Sequence, residues 1–446
     1  MRWRSAACVA LLSGLVWFGW FLEAHDWEWG ILRCCLLALF AALILVARPE
    51  APALLRSPRA AAAIWSAAVI ALGIDVRTGV RSILLAARTG EIRLDQGQNT
   101  LRAARLLLRG EDPYEQGQLL DLEAYFTRGR ERAQAGLAMP DPRLAPALAR
   151  RWWATLDASA RSALVLPAPA GNAAAQRERS MYGYKYGPLL PLLTAPAQAI
   201  AGPAAVPALQ LSFWAALVIL LLFCLRAAGA AWGAAGLAIL CLSLEPNLAR
   251  NALYYSASDV WALALMAAAL LAFLRERPVA LGLCVAAAIG CKLMPSLLLA
   301  PLLFAQRREG RFAAPLACAA GLVLLLGPFI LLDPAGFWTN VAVWPAAMRP
   351  DNTHWSFYAS AGVHRAARVL IGSAVVAASA VLAARRERGA SAWFRYLAAA
   401  SAALVLAGVA FHNNYAPWFT VWVLCAAAAG RSSPASASAH APAASA

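Results

Sequence analysis

Residues 313–332 read AAPLACAAGLVLLLGPFILL, twenty positions without one charged or amide side chain. Wound as a helix, that run is about 30 Å long, the thickness of a bilayer's hydrocarbon core, so it reads as a membrane span. Similar runs flank it at 279–304, 253–273, 229–245, 207–225 and 187–203 on one side, and at 362–383, 392–411 and 416–430 on the other. Upstream of a long polar stretch lie three more, near 6–22, 31–47 and 60–75. The chain as a whole agrees: of 446 residues, 61% are apolar and 14% charged, with a mean hydropathy of +0.60. A soluble protein holds roughly 45–50% apolar and about 25% charged residues. The fold class is therefore an all-α polytopic membrane protein, with about 10–12 transmembrane helices expected from these runs. Secreted enzyme, cytosolic enzyme and nucleic-acid-binding domain are excluded as readings of the whole chain.

The net charge of +16 does not mark a nucleic-acid partner. Lys185 and Lys292 are the only lysines among 39 basic residues, and the arginines sit mostly between apolar runs. Arg226, Arg275, Arg277, Arg307, Arg308, Arg311 and Arg385 are placed where the positive-inside rule puts cytoplasmic turns. The nine cysteines lie inside apolar runs with no C-x-x-C pair, and read as small buried side chains.

Four regions follow. Residues 1–77 hold the N-terminal spans, the first retained behind Arg2 and Arg4 because no small-x-small cleavage site precedes Glu23. Residues 78–186 form a large polar loop; its many arginines do not fix it to the cytoplasm, because loops over roughly 60 residues escape the charge rule. Residues 187–430 form a transmembrane bundle, and 431–446 a Ser/Ala/Pro-rich disordered tail. The 279–304 run lies between basic clusters at both ends, which calls for a broken or re-entrant pair turning near 290–295. Because Arg226 and Arg250 cannot both be cytoplasmic if every run crosses once, one of the two runs before Arg226 is expected to be interfacial.

Polar residues kept close to hydrocarbon are the informative ones in such a chain. They fall into five clusters: Asp95-Gln-Gly-Gln-Asn99 leading to Gly110-Glu-Asp-Pro-Tyr114; Tyr182-Gly-Tyr-Lys-Tyr-Gly-Pro188; Glu245-Pro-Asn247 with Arg250, Asn251 and Asp259; Cys291-Lys-Leu-Met-Pro295; and Asp351-Asn-Thr-His354 with His412-Asn-Asn-Tyr415. An Asp in a large loop, a helix, G-x-D-P-Y, then Y-G-P-L entering a span resembles glycosyltransferase family 87. So do K-x-x-P in an apolar run (Lys292, Pro295) and an H-x-x-Y turn before the last span (His412, Tyr415). The chain departs from the pattern in an extra apolar hairpin before the Asp-bearing loop and in that loop's length. The resemblance implies a GT-C-like bundle with a large extracytoplasmic first loop, in a bacterial inner membrane with the active site facing outward. It also implies a polyprenyl-phosphate sugar, often mannose, as donor.

Transfer from such a donor asks for a base to take the acceptor's proton and cations to hold the phosphate; the phosphate is already a leaving group, so no metal and no cofactor is required. Asp95 takes the base position, with Asp112 as runner-up, although Asp-Pro-Tyr also reads as a turn. Lys292, costly in hydrocarbon unless paired with an anion, is the candidate phosphate cation; an ion pair with Asp259 or Glu245 is the structural alternative. Lys185, among Tyr182, Tyr184 and Tyr186, is a donor contact or an interface anchor. His354 and His412 could hold phosphate or sugar hydroxyls, and Arg250 and Asn251 a sugar. Trp344, Trp355 and Trp418 read as interface anchors. The implied reaction is an inverting transfer to a lipid or glycan acceptor, with the bilayer as the other partner. The competing reading is a non-catalytic transporter or flippase of lipid-linked sugars, for which matching broken helices in two halves are absent from the sequence.

Overall fold

The computed structural model describes residues 52–90, 95–116, 186–305, 312–338, 390–407 and 416–429, with Ile92, Tyr184 and scattered single positions within 8–39 and 341–381. All regular elements among them are helices. They are α1 (Pro58–Thr89), α2 (Asp95–Leu108), α3 (Leu189–Ala201), α4 (Ala205–Ala227), α5 (Trp232–Leu244), α6 (Pro246–Leu253), α7 (Asp259–Leu274), α8 (Pro278–Cys291), α9 (Ala313–Leu332), α10 (Ala390–Ala407) and α11 (Ala416–Ala428). Short turns at Pro113–Gln116, Ala300–Phe304 and Pro334–Trp338 fill the joints.

Three of the described helical stretches are long and apolar enough to cross a membrane: Pro58–Thr89, Leu189–Ala227 and Ala313–Leu332. α5 and α6 together make a fourth, bent by 62° at Glu245. α7, α8 and α11 are apolar but shorter. The outer surface suits a lipid solvent: Leu316, Val323, Leu324, Leu331 and Leu332 of α9, and Val69, Ile70 and Ile74 of α1, are all exposed. Inside, the packing is aromatic and small-residue together, with Trp214, Trp261 and Trp422 fully buried and Phe213 stacked on Trp261 at 4.6 Å.

The third span, expected to end near residue 75, instead runs to Thr89. Pro58 starts it at a position that needs no N–H donor, and apolar positions continue through Val76, Val80 and Leu84. Gly90, at φ 71°, closes it with a left-handed cap that donates its N–H to Ala86 O at 2.9 Å. Asp75 is buried on this helix, and its Oδ2 accepts the Ser243 hydroxyl at 2.6 Å, which ties α1 to α5.

The contacts set the helices' directions. Trp65 Nε1 donates to Trp232 O, and Ser243 reaches Asp75, so α1 and α5 run parallel. Phe213 meets Trp261 and the Arg275 guanidinium lies 5.6 Å from the Phe223 ring, so α4 and α7 run parallel. Gly282 lies against Ala314 and Cys318, and Gly321 against Ala286, so α8 and α9 do as well. One end of the bundle therefore collects Arg56, Arg59, Arg226, Arg275 and Arg277; the other collects the end of α1, the starts of α4 and α7, and the end of α8. α3, 13 residues and about 20 Å long, is too short to cross alone and packs on α2 at that second end.

The break expected near 290–295 is present. α8 stops at Cys291, Lys292 is extended (φ −152°, ψ 108°), and the chain returns through short turns to Ala300–Phe304, which packs against both α8 and α9. Residues 278–304 are thus a broken hairpin rooted at the end that holds Arg275 and Arg277, with Lys292 at its tip. Gly290 sits against Leu325, seven residues short of the end of α9, so the tip lies about 10 Å inside that end.

Candidate active site

At the tip, Lys292 closes the last turn of α8 by donating its backbone N–H to Ala288 O at 2.9 Å. Its Nζ meets Asp259 Oδ1 at 2.5 Å. The same ammonium lies 5.8 Å from the Tyr186 ring and 5.7 Å from the Trp418 ring, between two faces of negative π density. Asp259 is the first residue of α7, where the positive end of the helix dipole favours a carboxylate. Its Oδ1 also accepts the Trp418 indole N–H at 2.7 Å, so one oxygen ties α7 to the end of α8 and to α11. The lysine is the more accessible partner, with 15% of its side chain exposed against 5% for the aspartate.

The loop leading into Asp259 is fixed from two sides. Ser256, at φ 61°, is in a left-handed conformation that costs a residue with a side chain, and Gln210 of α4 holds it by donating from Nε2 to Ser256 O at 3.0 Å. Ser258 donates both its backbone N–H (3.0 Å) and its hydroxyl (3.1 Å) to Gln96 Oε1. Gln96 is the second residue of α2, immediately after Asp95. The helix that Asp95 opens is therefore bolted to the residue before Asp259, and through Asp259 to Lys292.

A second junction brings two further motifs to the same tip. Tyr114 is buried, its hydroxyl donates to Tyr186 O at 2.8 Å, and burial together with the Asp112 charge raises its pKa well above the ordinary phenol value, so it stays a donor. Its ring meets those of Tyr184 (5.5 Å), Phe329 (5.5 Å) and Phe337 (4.9 Å) edge to face. Tyr184 donates to Gly187 O at 3.1 Å, and the Gly187 N–H donates to Cys291 O at 3.2 Å, one of the carbonyls that the end of α8 leaves open. Only glycine fits at 187: a Cβ there would stand 2.0 Å from Gly290 O.

The candidates from the sequence divide as follows. Lys292 has the ion pair named as its structural alternative, with Asp259; Glu245 is instead the N-cap of α6, accepting Leu248 N–H at 2.7 Å and Asn247 Nδ2 at 3.0 Å. Asp95 opens α2. Asp112 accepts the Tyr114 N–H at 2.8 Å, the turn that Asp-Pro-Tyr spells. Arg250 donates to Tyr255 Oη at 2.9 Å and lies over the Tyr254 and Tyr255 rings, while Asn251 O accepts Ala257 N–H at 2.8 Å to turn the chain. Lys185, His354 and His412 lie outside the described residues. Trp418 is not an interface anchor: it is 2% exposed and spends its N–H on Asp259. Sequence reasoning missed Gln96 as well, although it sits in the polar Asp95–Asn99 cluster, where a buried amide needs a partner.

Taken together, the tip joins residues of four clusters: Gln96, Tyr114, Tyr186 with Gly187, and Lys292 with Asp259. Such an arrangement presents a cation just inside one end of an apolar bundle, paired with a carboxylate, next to a helix carrying further acidic and amide groups. Searches of curated proteins and of solved structures find no match. The model of glycosyltransferase family 87 matches residues 184–411, just over half of the chain and the part that holds Tyr186, Gly187, Asp259 and Lys292. The chain belongs to glycosyltransferase family 87 and is a membrane glycosyltransferase.

Proposed function

We propose that this protein transfers a sugar, mannose in the first instance, from a polyprenyl-phosphate carrier to a lipid or glycan acceptor at the end of the bundle opposite Arg226, Arg275 and Arg277. The observation that carries the reading is the tip of the broken hairpin: a lysine inside the apolar bundle, between two aromatic rings and tied through Asp259, Ser258 and Gln96 to the helix that starts at Asp95. A lipid phosphate drawn in along the bundle meets a cation inside the apolar layer, where an anion is otherwise costly to hold. Asp95 is the base. It takes the proton from the acceptor hydroxyl as that oxygen attacks the anomeric carbon from the face opposite the phosphate, and the configuration inverts. Lys292 neutralises the charge that grows on the departing phosphate. The end whose short turns hold Arg226, Arg275 and Arg277 faces the cytoplasm and the site faces outward, in a bacterial inner membrane; the arginines of the long loop do not count against this.

The test is transfer of radiolabel from polyprenyl-phosphate mannose to membrane lipid and glycan extracts, with EDTA present throughout. Wild type is expected to be active, and Asp95→Asn to lose about 100-fold or more at equal expression, the usual worth of a positioned base. Full activity in Asp95→Asn moves the base to another residue, Asp112 first. No transfer by wild type with this donor removes mannose from the reading.

A further inference from the structure

Transfer changes the charge that the site must hold. The bond from the anomeric carbon to the phosphate oxygen breaks, its electron pair stays on that oxygen, and the new bond forms to the acceptor oxygen, whose proton goes to the base. The donor is a phosphodiester with one negative charge. The product is a phosphomonoester that carries nearly two at neutral pH, because its second ionisation falls near pH 6. A site with a lone lysine would therefore grip its product harder than its substrate, and the freed lipid would leave slowly.

This site has no lone lysine. Asp259 stands behind Lys292, 5% exposed, its Oδ1 shared between Nζ at 2.5 Å and the Trp418 indole at 2.7 Å. An incoming phosphate meets the exposed part of the lysine and leaves the more buried carboxylate in place. We infer that Asp259 is a positioning residue for turnover: a fixed negative charge behind the phosphate cation that keeps the site from retaining polyprenyl phosphate after transfer. The inference rests on the reading of Lys292 as the cation that meets lipid phosphate. It assigns Asp259 a role distinct from holding the phosphate, which falls to Lys292. At the few ångströms that separate Asp259 from any phosphate on Lys292, one charge in a medium of effective dielectric about 20 changes affinity by about tenfold or more.

The experiment compares undecaprenyl phosphate with uncharged undecaprenol as probes, their affinities for purified wild type, Asp259→Asn, Lys292→Gln and Trp418→Phe being measured in nanodiscs. Asp259→Asn keeps an acceptor for the Trp418 N–H and is expected to bind the phosphate about tenfold tighter with undecaprenol unchanged. In transfer assays its kcat should fall while the KM for donor does not rise. A purely structural role would weaken both probes alike. Equal or weaker phosphate binding in Asp259→Asn, with undecaprenol unchanged, overturns the inference. Lys292→Gln should erase the preference for phosphate over undecaprenol; if it does not, the lysine reading itself fails, and the inference with it. Tighter phosphate binding in Asp259→Asn without sugar transfer by wild type would sustain the inference and remove the transferase chemistry proposed above. Should Asp259→Asn not fold, Trp418→Phe decides. It keeps a ring over Lys292 but takes away one donor from Asp259 Oδ1, so the carboxylate charge weighs more on the lysine and phosphate binding should weaken with undecaprenol unchanged; unchanged or tighter phosphate binding, or equal weakening of both probes, overturns the proposal.

Discussion

At position 187 the backbone of one motif lies on the backbone of another. A Cβ there would sit 2.0 Å from Gly290 O and 2.5 Å from its carbonyl carbon, an overlap that no rotamer change can relieve. Gly187→Ala should therefore cost about 3 kcal/mol or more. Gly327→Ala, whose new methyl would find nothing nearer than 3.9 Å, should be close to neutral. Thermal unfolding of the two variants in the same detergent checks the difference, and equal melting temperatures would mean that the docking of the Tyr-Gly-Pro turn on α8 is wrong. Tyr114→Phe removes a single hydroxyl and leaves Tyr186 O without that donor, which should cost about 1–2 kcal/mol. Some of this was readable from residue types alone: a lysine in an apolar run must find an anion, and Asp259 was one of two acids in reach by sequence. The use of Trp418 was not readable, because an indole near a predicted span end fits the membrane interface as well as it fits a buried carboxylate.

Helix by helix, most of the chain announces itself. The 207–225 run became Ala205–Ala227 and 313–332 became Ala313–Leu332, since the length of an uncharged run leaves little freedom. α1 outran its expected end because Asp75 and Arg77 look like a boundary by charge, and the sequence does not say that Ser243 waits across the interface to receive the acid. The same blindness hid the joint between α2 and the loop before α7, where Gln96 gives one oxygen to two donors of Ser258. Gln96→Leu leaves both donors without this partner and should lower stability by about 1–3 kcal/mol. If the joint also holds the base in register with Lys292, kcat falls while the KM for donor stays put, and steady-state kinetics separate the two effects. At the bend between α5 and α6, Glu245→Ala removes a cap worth about 1 kcal/mol, readable in the same unfolding assay.

For the molecule as a whole, the short-turn arginines Arg226, Arg275 and Arg277, opposite the site, give a direction across the bilayer to test. Six of the seven described cysteines are buried and Cys284 is half-buried, so the labelling starts from a background in which the native cysteines are replaced by alanine. A membrane-impermeant maleimide added to intact spheroplasts should label Glu111→Cys, beside the site, and spare Arg277→Cys, at the opposite end, until the membrane is opened. The reverse pattern would turn the protein over. The hairpin that carries Lys292 also bears on how the chain enters the membrane. Translocon insertion of a lone aspartate or lysine at mid-membrane costs roughly 2.5–3.5 kcal/mol each. Asp259 and Lys292 belong to consecutive elements, α7 and α8, joined by the tight Arg275–Glu276–Arg277 turn. Released together, they can enter as a neutral unit; released one at a time, each carries an unmatched charge into lipid. The pair that poises the site for phosphate thus also couples the biogenesis of two short helices, and a chain split at that turn would have to deliver both halves at once.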